Sequence, residues 1–129
     1  MDHKTPAMPI IDRTDPDDSV LFVRAGVERS RWKALRRGQI MPQDSLDLHG
    51  LRSHEVESVL ERFVDECLGQ GLKSLLIIHG KGRGSEVRGG ILKPLTIDWL
   101  RRQGDVLAFC EAQPVDGGRG ALYILLSTG

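Results

Sequence analysis

Between Ser53 and Ile78 the chain changes its hydrophobic period, and that change restricts the fold more than any other feature. Val56, Val59, Leu60, Phe63, Val64, Cys67 and Leu68 recur at i, i+3, i+4, i+7, i+8, i+11 and i+12. This spacing lays one apolar stripe along a helix. Ser53 is a candidate N-cap, and Gly69 and Gly71 stop the helix. Lys73 to Ile78 follows as an apolar run of strand length with no alternation. That is the pattern of a strand buried on both faces. A short strand at Ser45-Leu46-Asp47-Leu48 precedes the helix. Strand, helix and strand joined in this order pair in parallel through a right-handed crossover.

The rest of the chain extends this unit. A second helix is expected over roughly Gly90 to Gln103, with Pro94 tolerated only in its first turn. A third strand is expected at Asp105 to Ala112 and a fourth at Ala121 to Ser127. Asp116-Gly117-Gly118 between them signals a hairpin turn. The order β-α-β-α-β-β predicts an α/β two-layer sandwich on a mixed four-stranded sheet, with the compact domain at 44–129. Residues 1–43 read as a flexible N-terminal arm. Its first 19 residues are polar, hold three prolines and have no period, which predicts disorder. Ser19 to Val23 is a short apolar patch suited to docking on the domain. Residues 24–38 are expected as one basic helix ending at Gly38.

A formal net charge of zero over 129 residues conceals an uneven distribution. Residues 1–23 carry −3, residues 24–37 carry +5, and residues 38–129 carry −2. The total therefore says nothing against a polyanionic partner, and the basic segment 24–37 favours one. Within it Arg29, Arg31, Lys33, Arg36 and Arg37 are the candidate phosphate contacts. No apolar run approaches the ~18 residues that span a bilayer, so no membrane partner is expected. MDHKTPAMPI at the start lacks the apolar stretch of a signal peptide. Cys67 and Cys110 stand alone with no C-x-x-C spacing, which excludes a Cys-rich zinc site and predicts a reduced, cytoplasmic setting. Aromatic residues are only 5% of the chain, which disfavours base stacking as the main mode of recognition.

Three short motifs carry the chemistry. Asp47 and His49 lie two apart at the end of the first strand, so both point to one face and Leu48 to the other. His79 sits where the second strand ends. If the two strands are parallel, an acid, two imidazoles and Lys81 converge on the carboxyl-end rim where open α/β sheets bind ligands. Asp47 there either fixes a tautomer of His49 or binds a metal; the bland alternative is a strand-end cap before a turn glycine. Gly80-Lys81-Gly82-Arg83-Gly84 alternates glycine with cations. Such a loop turns backbone N–H groups inward as an anion-binding nest. It lacks the GxxxxGK[ST] pattern, so a nucleoside triphosphate is not expected. Arg119, in a third glycine loop, adds a candidate phosphate contact.

Leu46-Asp47-Leu48-His49-Gly50, then His79-Gly80-Lys81-Gly82, then Gly117-Gly118-x-Gly-Ala121 resembles the Smr domain, the small MutS-related domain. The likeness covers about residues 44–128, and the arm also resembles that of stand-alone bacterial Smr proteins. The resemblance implies a fold like the C-terminal domain of translation initiation factor three. It also implies nuclease activity: nicking of DNA in some members, cleavage of RNA at collided ribosomes in others. By the same resemblance, Asp47 and His49 belong to the motif tied to cleavage, and His79 to Gly82 to the motif tied to binding or catalysis.

The expectation is thus an endonuclease acting on RNA or DNA, with the ribosome as a further partner implied by the resemblance. His49 is the expected general base or acid, Asp47 its orienting group and His79 its complementary partner. Gly80, Lys81, Gly82 and Arg83 hold the scissile phosphate. With RNA, His49 activates the substrate's own 2′-OH and no metal is required; with DNA, water is the nucleophile and a divalent metal becomes favoured. No other cofactor is expected. The alternative is a non-catalytic module that binds nucleic acid or the ribosome. An acid within a phosphate-binding rim speaks against it, because a carboxylate there repels the backbone.

Overall fold

The computed structural model describes residues 9–13, 20–81 and 90–127. In chain order the elements are strand β1 (Pro9–Arg13), strand β2 (Leu21–Arg24), helix α1 (Arg29–Arg36), strand β3 (Asp44–Asp47), helix α2 (Val56–Gly69), strand β4 (Ser74–Ile78), helix α3 (Leu92–Arg101), strand β5 (Val106–Glu111) and strand β6 (Ala121–Leu126). The six strands form one sheet in the order β1-β2-β5-β6-β4-β3. β3 and β4 pair in parallel; every other neighbouring pair is antiparallel.

The α/β class and the β3-α2-β4-α3-β5-β6 order agree with the expectation. The sheet does not stop at four strands: the arm adds β1 and β2 along the free edge of β5. Part of the lead-in expected as disordered is thus strand β1. The β5–β6 connection is not a tight turn but two 3-10 turns, Pro114–Asp116 and Gly118–Gly120.

The core explains why the sandwich has three layers rather than two. β6 and β2 are buried at every position, and β5 is nearly so. Strands with two apolar faces need cover on both. On one face Val56, Leu60 and Val64 of α2, and Ile97 and Leu100 of α3, pack against Leu75, Ile77, Phe109 and Ile124. On the other, Trp32 and Leu35 of α1 pack against Leu21, Val23, Cys110, Tyr123 and Leu125. The flexible arm of the expectation is therefore, from Val20 onward, an integral layer. The basic helix is also shorter than expected, because Arg24 ends β2 and a turn precedes Arg29.

Arg24 shows why. Its guanidinium donates to Val106 O at 2.7 Å, Gln103 O at 2.8 Å and Arg101 O at 2.9 Å. The group also lies 5.0 Å from the centre of the Phe22 ring. The last two carbonyls end α3, where a cation complements the helix dipole. One of the six cations counted in the basic segment is thus committed to tying β2 to α3.

α2 opens through a 3-10 turn, Ser53–Glu55, in which the Glu55 carboxylate accepts the Arg52 N–H at 2.9 Å. Among the described residues no helix is long and apolar enough to cross a membrane.

Leu35 is 1% exposed and belongs to the layer that the arm supplies. Leu35→Ala should lower stability by about 2–4 kcal/mol, the cost of a buried large-to-small change. Urea unfolding would measure it; a change below about 0.5 kcal/mol, the range of surface substitutions, would mean that α1 is not part of the folded unit.

Candidate active site

The parallel register sets Asp47 opposite Ile78, and the Leu48 N–H continues the ladder to Ile78 O at 2.6 Å. Leu48 is fully buried on the α2 side. Alternation then sends Asp47 and His49 out of the core together. His49 Nδ1 lies 2.7 Å from Asp47 Oδ1, and the His49 backbone N–H donates to the same oxygen at 3.0 Å. The His49 hydrogen bond holds the Asp47 carboxyl below its usual range. Nδ1 facing a carboxylate carries the proton, which leaves Nε2 as the acceptor. The pair is open to solvent, the His49 and Asp47 side chains being 73% and 50% exposed.

His79 stands in the other environment. It is 3% exposed. Its Nδ1 donates to Gly80 O at 2.8 Å, and its buried Nε2 has no hydrogen-bond partner among the described residues. Burial pulls its pKa down to about 4, with a smaller contribution from the Lys93 charge. His79 is therefore a neutral imidazole at physiological pH, and the expected pair of titrating imidazoles is not formed. Lys93 of α3 is itself paired with Glu111 at 2.5 Å.

Glycines make this rim possible. Gly80 takes φ +90°, and a Cβ there would lie 3.5 Å from the His49 Cβ. Gly120 O accepts the N–H groups of both His79 and Gly80 at 3.0 Å. A Cβ on Gly120 would meet Lys81 Cγ at 3.0 Å and the Gly80 carbonyl carbon at 3.3 Å. Gly120 thus lets β6 approach the loop that carries Lys81. In the sequence it reads only as a hairpin glycine; its place beside two basic positions, Lys81 and Arg119, follows from β6 pairing with β4.

His49, His79, Gly80 and Lys81 line one cleft of about 660 Å³. The Ser53 end of α2 and residues Gly90 to Leu92 at the start of α3 complete its wall. Helix starts present N–H groups outside the helical ladder, and two helices begin at the wall of the cleft that Lys81 lines. Sequence reasoning missed this convergence, because it depends on where α2 and α3 begin in space. Gly82 and Arg83 lie outside the described residues. Arg119 is exposed on the 3-10 turn that ends in Gly120. Arg29, Arg36 and Arg37 are exposed, and Arg31 and Lys33 half-buried, on or just after α1. Among the described residues no three His, Cys, Asp or Glu side chains gather as a metal-binding group. The buried thiols of Cys67 and Cys110 are pushed up to about 11 and about 12 by desolvation, so they are not nucleophiles.

A helix-flanked sheet with an Asp–His pair and a glycine-lysine loop at one strand-end rim defines the class. The profile of the Smr domain matches residues 46–127, and the chain belongs to that family. It is 36% identical over 105 residues to "Probable DNA endonuclease SmrA" of Escherichia coli, covering 81% of this chain and 56% of that protein. It is 34% identical over 110 residues to "Ribosome rescue factor SmrB" of Tolumonas auensis, covering 85% and 60%. The chain thus matches a little over half the length of these relatives. Among solved structures it is similar to YdaL, a stand-alone small MutS-related protein from Escherichia coli, with a TM-score of 0.76 and 30% identity over 97% of this chain and 95% of that one. It is also similar to the Smr domain of Thermus thermophilus MutS2, with a TM-score of 0.57 and 31% identity over 64% and 96%.

The buried His79 makes stability depend on pH. Its folded pKa lies below the ordinary 6.5, at about 4. Between those values the unfolded chain binds a proton that the folded one does not. The stabilisation is therefore complete above pH 6.5 and is lost as pH falls towards 4. It amounts to about 3 kcal/mol. Urea midpoints of the parent should fall across this window, and those of His79→Leu should fall by clearly less. Parallel slopes for the two proteins would show that His79 titrates normally.

Proposed function

We propose that this protein is an endonuclease cutting the phosphodiester backbone of nucleic acid, with Asp47 and His49 as its proton-transfer centre. The observation that carries this reading is the 2.7 Å contact of His49 Nδ1 with Asp47 on an exposed rim. It fixes the tautomer that makes Nε2 a base, as the carboxylate does in other acid–base dyads. Lys81 brings a positive charge to the same cleft, which suits a scissile phosphate and its transition-state charge. Arg119 is a further phosphate contact in this reading, as are Gly82 and Arg83 by their place in the sequence, and α1 adds affinity through its cations.

RNA is the substrate that this set of groups serves best. His49 Nε2 takes the proton of the substrate's 2′-OH. O2′ then bonds to phosphorus as the P–O5′ bond breaks. The products are a 2′,3′-cyclic phosphate and a 5′-hydroxyl, whose oxygen takes its proton from water. Asp47, hydrogen-bonded to His49 from beside the cleft, stabilises the imidazolium formed in the step. His79 holds the Gly80 carbonyl and with it the lysine loop; its role is positioning. The relatives named for ribosome rescue support an RNA target on or near the ribosome in the cytoplasm, and the one named for DNA cleavage keeps DNA as a second substrate to be tested.

Asp47→Asn and His49→Ala should slow RNA cleavage about 10²- to 10⁴-fold, with affinity unchanged or slightly higher. Lys81→Ala should instead weaken binding by about 1–3 kcal/mol. The parent rate should withstand EDTA and should level off rather than fall at alkaline pH, because His79 holds no proton above about pH 4. If folded Asp47→Asn protein cuts at the parental rate, Asp47 is a turn cap and the binding-module reading takes over.

A further inference from the structure

We infer that Tyr123, Asp116 and Gln113 are positioning residues for Lys81. Together they latch the end of α1 to residues 112–120, the connection whose last residue holds the backbone that carries Lys81. The inference rests on the nuclease reading, in which Lys81 meets the phosphate, and adds residues that touch no substrate.

Tyr123 is 1% exposed, and its ring packs in the layer that Trp32 and Leu35 of α1 share with the sheet. A phenol buried to this depth needs partners for its hydroxyl. The Tyr123 hydroxyl donates to Asp116 Oδ2 at 2.5 Å and accepts the Gln113 N–H at 3.3 Å. The Gln113 side chain carries the link onward. Its Nε2 donates to the carbonyl of Arg36, the last residue of α1, at 2.8 Å. Gly38 follows at φ +74°, and a Cβ there would lie 2.9 Å from Gln113 Cγ and 3.2 Å from the Tyr123 hydroxyl. The glycine beyond the helix end thus also makes room for the latch.

The connection itself is easily loosened. Gly117 takes φ +121° and Gly118 φ +55°, and glycine loses more freedom on ordering than any other residue. The backbone bonds of Asp116 and Gly118 N–H to Gln113 O, and of Gly120 N–H to Gly117 O, run within the connection. They make it one unit but do not fix where that unit sits. The Tyr123 hydroxyl, carried by β6, ties it to the sheet, and Gln113 ties it to α1. Where the unit sits decides where Gly120 O sits. That oxygen accepts the N–H groups of both His79 and Gly80, and Lys81 is the next residue. Loss of one member leaves the others without their partners, so the latch loosens as a whole.

The test reads this backbone directly, in the full chain. In Tyr123→Phe, hydrogen exchange at the His79 and Gly80 amides should quicken about tenfold relative to the buried Leu60 and Val64 amides of α2. A general loss of stability would quicken all four alike. Asp116→Ala should act as Tyr123→Phe does. Asp116→Asn keeps an acceptor for the phenol and should stay near the parent. Thermal melting confirms folding, and Asp116→Ala carries the test if Tyr123→Phe does not fold. For affinity, each protein also carries His49→Ala to stop cleavage, and a short single-stranded RNA is titrated by fluorescence anisotropy. Tyr123→Phe should weaken binding about three- to tenfold when Lys81 is present and less than about twofold in Lys81→Ala, as expected of groups acting through one contact. Unchanged relative exchange at His79 and Gly80, or equal losses of affinity with and without Lys81, overturns the latch and leaves the nuclease reading standing. Failure of the His49→Ala protein to bind the RNA overturns both.

Discussion

Everything at the rim depends on the parallel pairing of β3 with β4 and on one side chain within it. The Leu48 N–H bonds to Ile78 O, and Leu48 is fully buried. Burying a leucine on one face is worth about 2 kcal/mol, and a slip of one residue would turn it to solvent and bring Asp47 or His49 into the core. The apolar residue between the two polar ones therefore decides where they point. The same register brings His79 to the same edge, since both strands end there. The position of the site follows from the packing, before any hydrogen bond between Asp47 and His49 is formed.

The two imidazoles at this edge differ in burial. His49 is open and faces a carboxylate; His79 is enclosed, with one nitrogen committed to Gly80 O. An enclosed imidazole resists protonation, since a charge there gives up its hydration. What His79 contributes is geometry. It bonds the Gly80 carbonyl, while Gly120 O accepts the N–H groups of His79 and Gly80. Backbone anchored at His79 and Gly80 keeps Lys81 beside the cleft.

Much of this was legible in the sequence, because period and spacing are local properties. The α2 stripe, the apolar β4, the late start of α3 after Gly90 and the pairing of Asp47 with His49 all rest on residues close together in the chain. What was not legible depends on contacts between distant segments. β2 is four residues long and reads as a loose apolar patch; only the open edge of β5 makes it a strand. α1 lacks a clean stripe because two residues, Trp32 and Leu35, suffice to seat it on β5 and β6. The difference between His49 and His79 is likewise a matter of depth, and depth is set by Gly120 and the start of α3. No spacing within His79-Gly80-Lys81-Gly82 encodes it.

Charge counted along a sequence is not charge available to a ligand. Six cations fall between Arg24 and Arg37, yet Arg24 is turned inward onto three backbone carbonyls. Burial of that guanidinium costs hydration, and three charge-assisted hydrogen bonds offset it. The remaining five lie on or just after a helix whose apolar side is pinned to the sheet. That attachment matters for recognition. A tethered but flexible basic arm would find phosphates anywhere within reach and would add affinity without direction. A basic helix packed on β5 and β6 keeps its field on one face of the sheet, the face to which Asp47 belongs. The cations of α1 and the Asp47 side chain thus share a side of the sheet, and a polyanion approaching that side would be drawn towards the rim.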